Sequence, residues 1–305
     1  MLVGGWPDSD TPQPYSAVSL RPCGLALPPL PRSSMWDPVA ELVQDRMLIC
    51  NMDYDQYIVS AVAKDYKCWS LDLAASPLIW TALPPPPMKL FLSTSASWEG
   101  QLAIIGGSQE HHHDLGQLDG TRQLQLYNPR EGNWGLGPPL PASLFEGCAV
   151  PMGSHGLLVL GDFESGPTNL YLLSGPGGKW RQMPESHHLH VRPGCAAATL
   201  AGGLEGMVAI SGDNAEFFSF LAEKWVEMPA PLVPRAQNMK VSVGLSQGKL
   251  VVAGGWDSSL QEMSQRVEAW EDASGWVAYP RDLSEGRTHQ AELSLPASLC
   301  EAPKA

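Results

Sequence analysis

The 305-residue chain has few basic residues and no basic cluster. Lys and Arg number 19 against 32 Asp and Glu, which gives a net charge of -13 and a pI near 5.0. Such a chain repels a phosphate backbone. No apolar run approaches the roughly 18 residues of a membrane span, and the first residues lack a basic segment followed by a long apolar one. We therefore expect no nucleic-acid partner, no membrane insertion and no targeting segment.

Recognisable catalytic motifs are also lacking. The chain contains no Gly-X-Ser-X-Gly elbow, no phosphate loop and no His-Glu-X-X-His pair. Histidine-rich runs occur at residues 111–114 and 187–190, but adjacent residues on a loop rarely preset a metal geometry. We predict no enzyme, no metal site and no cofactor.

Gly and Pro, in contrast, are abundant: 30 and 28 residues spread over the whole chain, in a composition with 44% hydrophobic and 17% charged residues. This composition can bury a large core. Frequent turn residues indicate many short elements rather than a few long helices. The sequence therefore predicts an all-β fold.

Two landmarks recur along the chain and define a repeat. The first is an apolar run that ends in Gly-Gly or a degenerate version of it, and it occurs at residues 2–5, 48–51, 104–107, 159–162, 209–213 and 252–255. The second is a Trp shortly before a Pro-rich turn, spaced by roughly 50 residues, at Trp80, Trp134, Trp180, Trp225 and Trp276. Residues 25–31 stand in the same frame without the Trp. Short alternating runs between the landmarks predict further strands, so each unit supplies four.

This pattern resembles the kelch family of β-propellers over almost the whole chain. The resemblance implies a single domain, residues 1–305, folded as a six-bladed propeller of four-stranded antiparallel blades. Because the chain begins in a Gly-Gly strand, we expect residues 288–296 to supply the missing inner strand of a blade formed with residues 1–31 and so to close the ring. The other five blades are predicted at about 39–87, 91–141, 146–186, 192–231 and 237–280.

One pair of the six cysteines can be placed by register. If Met52 faces Tyr66 across an antiparallel hairpin, Cys50 faces Cys68, within disulfide range. This placement resembles that of extracellular invertebrate kelch proteins, in which a Cys near the Gly-Gly strand and a Cys-Trp on the next strand recur.

The other four cysteines leave the compartment open. Cys23 and Cys300 fall near the predicted closure and could join it, whereas Cys148 and Cys195 occupy equivalent inner-strand positions and either pair or remain two buried thiols. The alternative for all six is a set of free buried thiols in a cytoplasmic protein. Cysteine placement favours an extracellular protein over a cytoplasmic one.

The predicted function is a non-catalytic scaffold, a monomeric propeller that binds a protein or glycan partner. Loops that join the second and third strands of a blade, or one blade to the next, lie on the same face, and this face collects the variable segments. Trp and Arg in these loops are the candidate partner-binding residues: Trp6, Arg32, Trp36, Arg235, Trp256 and Arg287. The competing interpretation is that each Trp packs against its own loop and each Arg is solvated or bonds the next blade.

Two other functions are compatible with the resemblance. The kelch family includes metallo-oxidoreductases and lyases, but no Tyr, His and Cys constellation for a radical-copper site is visible. The substrate-recognition propeller of an intracellular ubiquitin-ligase adaptor is the other alternative. The sequence does not name the partner or show whether the chain is a piece of a longer protein.

Overall fold

The computed structural model describes residues 2–3, 6–7, 27–31, 36–52, 60–62, 66–112, 120–162, 168–284, 286–288 and 290–292. These residues form short β-strands and one 3-10 turn, Gly153–His155. The strands in chain order are β1 (Leu2–Val3), β2 (Trp6–Pro7), β3 (Trp36–Val43), β4 (Arg46–Met52), β5 (Ser60–Val62), β6 (Tyr66–Asp72), β7 (Trp80–Leu83), β8 (Thr94–Trp98), β9 (Gln101–Ile105), β10 (Glu110–His112), β11 (Leu124–Asn128), β12 (Asn133–Leu136), β13 (Phe145–Pro151), β14 (Leu157–Asp162), β15 (Asn169–Leu173), β16 (Trp180–Met183), β17 (Gly194–Leu200), β18 (Leu204–Ser211), β19 (Asn214–Ser219), β20 (Lys224–Met228), β21 (Ser242–Ser246), β22 (Lys249–Ala253), β23 (Trp256–Asp257), β24 (Glu262–Met263), β25 (Val267–Glu271), β26 (Gly275–Ala278), β27 (Arg287–Thr288) and β28 (Ala291–Glu292). No helix in this part of the chain is long and apolar enough to cross a membrane.

Five four-stranded antiparallel sheets make up the fold, and we name them blades A to E. They are β3-β4-β6-β7 (A), β8-β9-β11-β12 (B), β13-β14-β15-β16 (C), β17-β18-β19-β20 (D) and β21-β22-β25-β26 (E). Every pairing in them is antiparallel. The predicted all-β class and four-stranded antiparallel blades are confirmed.

The predicted number of six blades is wrong, because only five four-stranded blades occur among the described residues. The two chain ends supply short pairs instead: β1 with β28, and β2 with β27. Residues 27–31, which share the frame of the Trp strands, form no strand. Leu27 and Leu30 of this segment pack against the apolar cluster of blade A.

Apolar clusters lie at the seams between consecutive blades. At the seam of blades A and B, Val43 and Leu48 meet Leu102 and Ile104, and clusters of the same kind join B to C, C to D and D to E. Since each blade is apolar on both faces, it must be covered by a neighbour on each side. The alternating strands predicted from the sequence are therefore buried more completely than strands of a single exposed sheet.

The Trp and Pro landmark has a structural explanation at these seams. The indole Nε1 of each Trp donates a hydrogen bond to the carbonyl of a Pro in the preceding unit: Trp134 to Pro84, Trp180 to Pro138, Trp225 to Pro184 and Trp276 to Pro229, at 2.8 to 3.0 Å. Trp80 is the exception, because its buried Nε1 has no partner. Trp80 thus lacks the contact that the corresponding Trp of blades B to E makes.

The Gly-Gly landmark is explained by close backbone approach. Gly106 and Gly107 both have positive φ, +62° and +93°. A Cβ on Gly106 would lie 2.5 Å from the carbonyl oxygen of Leu144, and the amide of Gly107 donates to that same oxygen at 2.7 Å. Glycine is required here because the strand end touches the segment that leads into the next blade.

Two disulfides join the described cysteines. Cys50 bonds Cys68 within blade A, and Met52 faces Tyr66 in the same ladder, so the predicted register and bridge are confirmed. Cys148 bonds Cys195, which links the inner strands of blades C and D and resolves the alternative that the sequence left open. Cys23 and Cys300 lie outside the described residues.

Candidate functional site

The blades together have two faces, one at each end of their strands, and these differ in how much chain they carry. On one face the first and second strands, and the third and fourth, are joined mostly by short turns such as residues 44–45, 99–100 and 220–223. The other face carries the longer connections, including 84–93, 106–123, 229–241 and 254–266. We call this second surface the loop face. The asymmetry agrees with the predicted position of the variable segments.

The loops of this face contain secondary structure of their own. β5 and β10, which belong to the loops of blades A and B, pair with each other and form a ribbon between blades. β23 pairs with β24 within the long connection of blade E. A bridge between Arg235 and Asp257 ties this hairpin to the link that follows blade D. The described part of the loop face is therefore built from hydrogen-bonded loops.

Three leucines are exposed on the loop face. Leu189, Leu232 and Leu260 lie in the links after blades C and D and in the β23–β24 hairpin, with 47%, 59% and 64% of their surfaces accessible. Neighbouring backbone is held firmly, because the amide of Leu232 donates to buried Glu268 and the amide of Leu260 donates to Asp257. Exposed apolar side chains on ordered loops are suited to contact with a partner.

A central channel of about 350 Å³ runs between the inner strands. Small side chains such as Ala40, Ala149 and Ala197 form much of its wall. Glu41 and Lys240 are the charged residues among those that line it. Burial raises the pKa of the Glu41 carboxyl to about 7, although hydrogen bonds from Ser95 and from the backbone of Ser97, and the charge of Lys240, act in the opposite direction.

The comparisons with known proteins support the same architecture. A solved structure of the protein YjhT superposes with a TM-score of 0.63 and 18% sequence identity, over 88% of this chain and 89% of that chain. The chain is a β-propeller. No family model matches it, and no curated protein matches it. At this identity the similarity shows the fold alone.

The propeller places the predicted arginine anchors in its interior. Arg235 and Arg287 are each 3% exposed. The Arg235 guanidinium pairs with Glu268, Nη1 to Oε1 at 2.7 Å, and Nε donates to the carbonyl of Gly254 at 2.9 Å. The prediction assumed that these two side chains are exposed, and they are buried. Arg235 instead fits the competing interpretation, in which the Arg bonds the next blade. Whether either residue contributes to partner binding stays a prediction.

Asp257 belongs to the same buried group at the base of the β23–β24 hairpin. Burial would raise the pKa of its carboxyl, but hydrogen bonds from Ser259 and the amide of Leu260, together with the charge of Arg235, hold it below its usual range. This ionised carboxylate fixes the turn that presents Leu260. This buried network therefore fixes the conformation of the loop that carries Leu260.

The predicted tryptophan anchors have separate positions. Trp256 is partly buried in β23. Trp6 lies in β2 opposite Thr288, and Trp36 begins β3 opposite Met52. Arg32 lies outside the described residues. Sequence reasoning did not identify the exposed leucines, because the loops that contain them have no periodic pattern that separates an exposed Leu from a buried one.

The second histidine-rich run is organised around a buried carboxylate. Glu216, fully buried, accepts hydrogen bonds from the amides of His187 and His188 and contacts His190 Nε2 at 2.8 Å. Burial alone would raise its pKa, but these donors lower it. Glu268 holds the amides of Leu232 and Val233 in the same way one blade later. No group of three or more metal-ligating side chains occurs in the described part of the chain; His113 and Asp114 are outside it.

Proposed function

We propose that this propeller is a non-catalytic binding module of the kelch type, which takes a protein partner on its loop face. The observation that carries the proposal is the asymmetry of the two faces: short turns on one, and long, internally hydrogen-bonded connections on the other. The long connections are concentrated on a single surface, as expected for a rigid scaffold that presents binding loops.

The chemistry of the loop face supports an interface with an apolar centre. Leu189, Leu232 and Leu260 are exposed, while the charged groups that hold the backbone around the last two, Arg235, Glu268 and Asp257, are buried and used internally. An exposed Leu on a held loop loses little conformational entropy when a partner covers it. Covering such side chains is favourable in proportion to the apolar area removed from water.

Photo-crosslinking tests the position of the interface. A photoreactive amino acid is placed at Leu232 or Leu260, and at Leu221 as the control, which is 87% exposed in a turn of the opposite face. We expect one common cross-linked protein from the two loop-face positions, absent from the control. Equal cross-linking from both faces, or cross-linking only at Leu221, would contradict the proposal.

We also propose that the paired chain ends, β1 with β28 and β2 with β27, close the ring between blades E and A. Strand β28 contacts the inner strands β3 and β21 of blades A and E. The amide of Gly255 donates to the carbonyl of Arg287 at 2.9 Å, which repeats the contact of Gly107 with Leu144. The side chain of Gln290 also donates to Ser242 in blade E. Deleting residues 286–305 is expected to lower the thermal midpoint strongly; an unchanged midpoint would rule out closure.

The compartment that we propose is extracellular. Two disulfides join four of the six cysteines, and structural disulfides persist in oxidising environments and are rare in the cytosol. Intact mass of native protein with thiols blocked, before and after reduction, tests this. Free thiols at Cys50 and Cys68 in protein from its natural source would refute it.

A further inference from the structure

Glu41 occupies a wall position at which the other blades have small uncharged residues. Glu41 is paired with Leu48 in the ladder of the first two strands of blade A. The same register gives Ala96, Val150, Ala196 and Gly244 in blades B to E. The repeat thus accommodates an apolar residue here, so a carboxyl is not required for packing. Its presence in the channel needs a reason other than the fold.

The carboxyl is oriented but incompletely neutralised. Ser95 Oγ donates to Glu41 Oε1 at 2.9 Å, and the backbone of Ser97 supplies a further hydrogen bond. Lys240 also lines the channel, and its charge has the smallest of the four effects on this carboxyl. Burial disfavours the ionised form more than these three contacts favour it, and the residue is still partly accessible. A cation in the channel would therefore stabilise the carboxylate.

A second acceptor lines the same channel. Gln290 is 2% exposed, and its Nε2 donates to Ser242 Oγ at 2.8 Å. Its amide oxygen Oε1 is buried and has no hydrogen-bond partner. A buried acceptor without a donor is costly, so a small rotation of the side chain that brings Oε1 to a ligand donor in the channel would be favourable.

The two acceptors and the wall together define a ligand class. We propose that the channel binds a small primary ammonium ion, with Glu41 as its counter-ion and Gln290 Oε1 as a second hydrogen-bond acceptor. A primary ammonium carries one charge and three N–H donors, and its alkyl part suits a wall of Ala, Val and Pro. The volume of about 350 Å³ admits a small molecule. This site is separate from the loop-face interface and does not depend on it.

A divalent metal is a poorer occupant. The described residues contain no cluster of three or more His, Cys, Asp or Glu ligands, and among those of them that line the channel Glu41 is the only carboxylate. Hard cations require several oxygen ligands and tolerate few apolar neighbours. The chemistry therefore selects an organic cation over a metal ion.

The test is titration of the whole, disulfide-bonded protein with propylammonium chloride, followed by calorimetry and by the NMR signals of the Gln290 side-chain amide. Tetramethylammonium, a cation without N–H donors, and 1-propanol, which has no charge, are the matched probes. We expect saturable binding of propylammonium alone, lost in Glu41→Gln and kept in Glu271→Gln, a surface control whose side chain is 41% accessible. Since only the ionised carboxyl binds, the apparent affinity should fall about 30-fold between about pH 8 and about pH 5.5.

Glu41→Gln preserves the shape of the side chain and removes a desolvated charge, so the variant is expected to fold. Equal propylammonium binding by the wild-type protein and this variant would overturn the proposal, and so would the absence of saturable binding to the folded wild-type protein. Binding that does not shift the Gln290 amide would remove Gln290 from the site. The photo-crosslinking result on the loop face is independent of all three outcomes.

Discussion

Glu41→Gln should make the protein more stable at neutral and alkaline pH. Burial raises the pKa of the Glu41 carboxyl from 4.5 to about 7. The folded protein therefore keeps a proton that the unfolded chain releases between these values, and stability is lost as the pH rises through this window. At 1.36 kcal/mol for each pKa unit, complete burial of the charge would cost about 3 kcal/mol above pH 7, and the partial accessibility of Glu41 lowers this cost. A neutral amide in the same place avoids this cost.

Urea unfolding of both proteins over a range of pH, followed by near-ultraviolet circular dichroism, measures the effect. The variant and the wild type should have nearly equal midpoints at about pH 4.5, with the variant gaining an advantage that levels off above about pH 7. Glu271→Gln is the control with the opposite sign, because hydrogen bonds from Lys249 and Ser274 lower the pKa of that exposed carboxyl. A difference independent of pH, or a variant less stable than the wild type at pH 8, would refute the reasoning.

Three further predictions concern stability. Trp180→Phe should lower the free energy of unfolding by about 1 kcal/mol more than Trp80→Phe does. Trp180 donates a hydrogen bond to Pro138, whereas Trp80 Nε1 has no partner. Equal losses in chemical denaturation would show that this hydrogen bond between blades does not stabilise the fold. Replacing both Cys148 and Cys195 by Ser should lower the free energy of unfolding by about 4 kcal/mol, and replacing both Cys50 and Cys68 should lower it by about 3 kcal/mol. The reason is that the two disulfides close loops of 47 and 18 residues. Equal unfolding midpoints for the two double variants would contradict this. Arg235→Ala should cost about 3–5 kcal/mol because it leaves buried Glu268 without its partner, whereas Leu232→Asp should change stability by less than about 0.5; a mild Arg235→Ala would contradict the buried network.

The parts of the fold that follow a local period were predictable from the sequence. Alternation with period two placed Cys50 opposite Cys68, because a ladder fixes every pair once one pair is fixed. The Trp and Pro landmarks located the seams, although their hydrogen bond runs between neighbouring units and is not visible within one. The blade count failed where a landmark was degenerate: residues 25–31 keep the Pro frame but lack the Trp, and residues 27–31 form no strand.

The binding residues were less predictable because exposure is a property of the whole fold. Arg235 has the same local context as a surface arginine, and only the approach of Glu268 and the carbonyl of Gly254 from blade E buries it. Glu41 shows the reverse case. Within β3 it alternates with apolar neighbours as a solvent-facing residue would, yet the arrangement of the inner strands around a common axis places it in the channel.

The cost of Glu41 bears on what the channel is for. The free-energy cost of burying the Glu41 charge exceeds the stabilisation from its hydrogen bonds, so the charge does not stabilise the fold. The repeat accommodates uncharged residues at this position, as the corresponding residues show: Ala96, Val150, Ala196 and Gly244. Destabilising groups that persist in a folded protein are concentrated at binding and catalytic sites. If a cation neutralises this carboxylate, the pH dependence of stability should weaken when the ligand is present, because a bound ammonium holds Glu41 ionised in the folded state. Saturating propylammonium should therefore raise the wild-type unfolding midpoint at pH 8 but not at pH 5, and should leave Glu41→Gln unchanged at both. A midpoint that rises equally in the two proteins would mean that the amine acts on the protein surface and that the channel carboxyl has no ligand of this class.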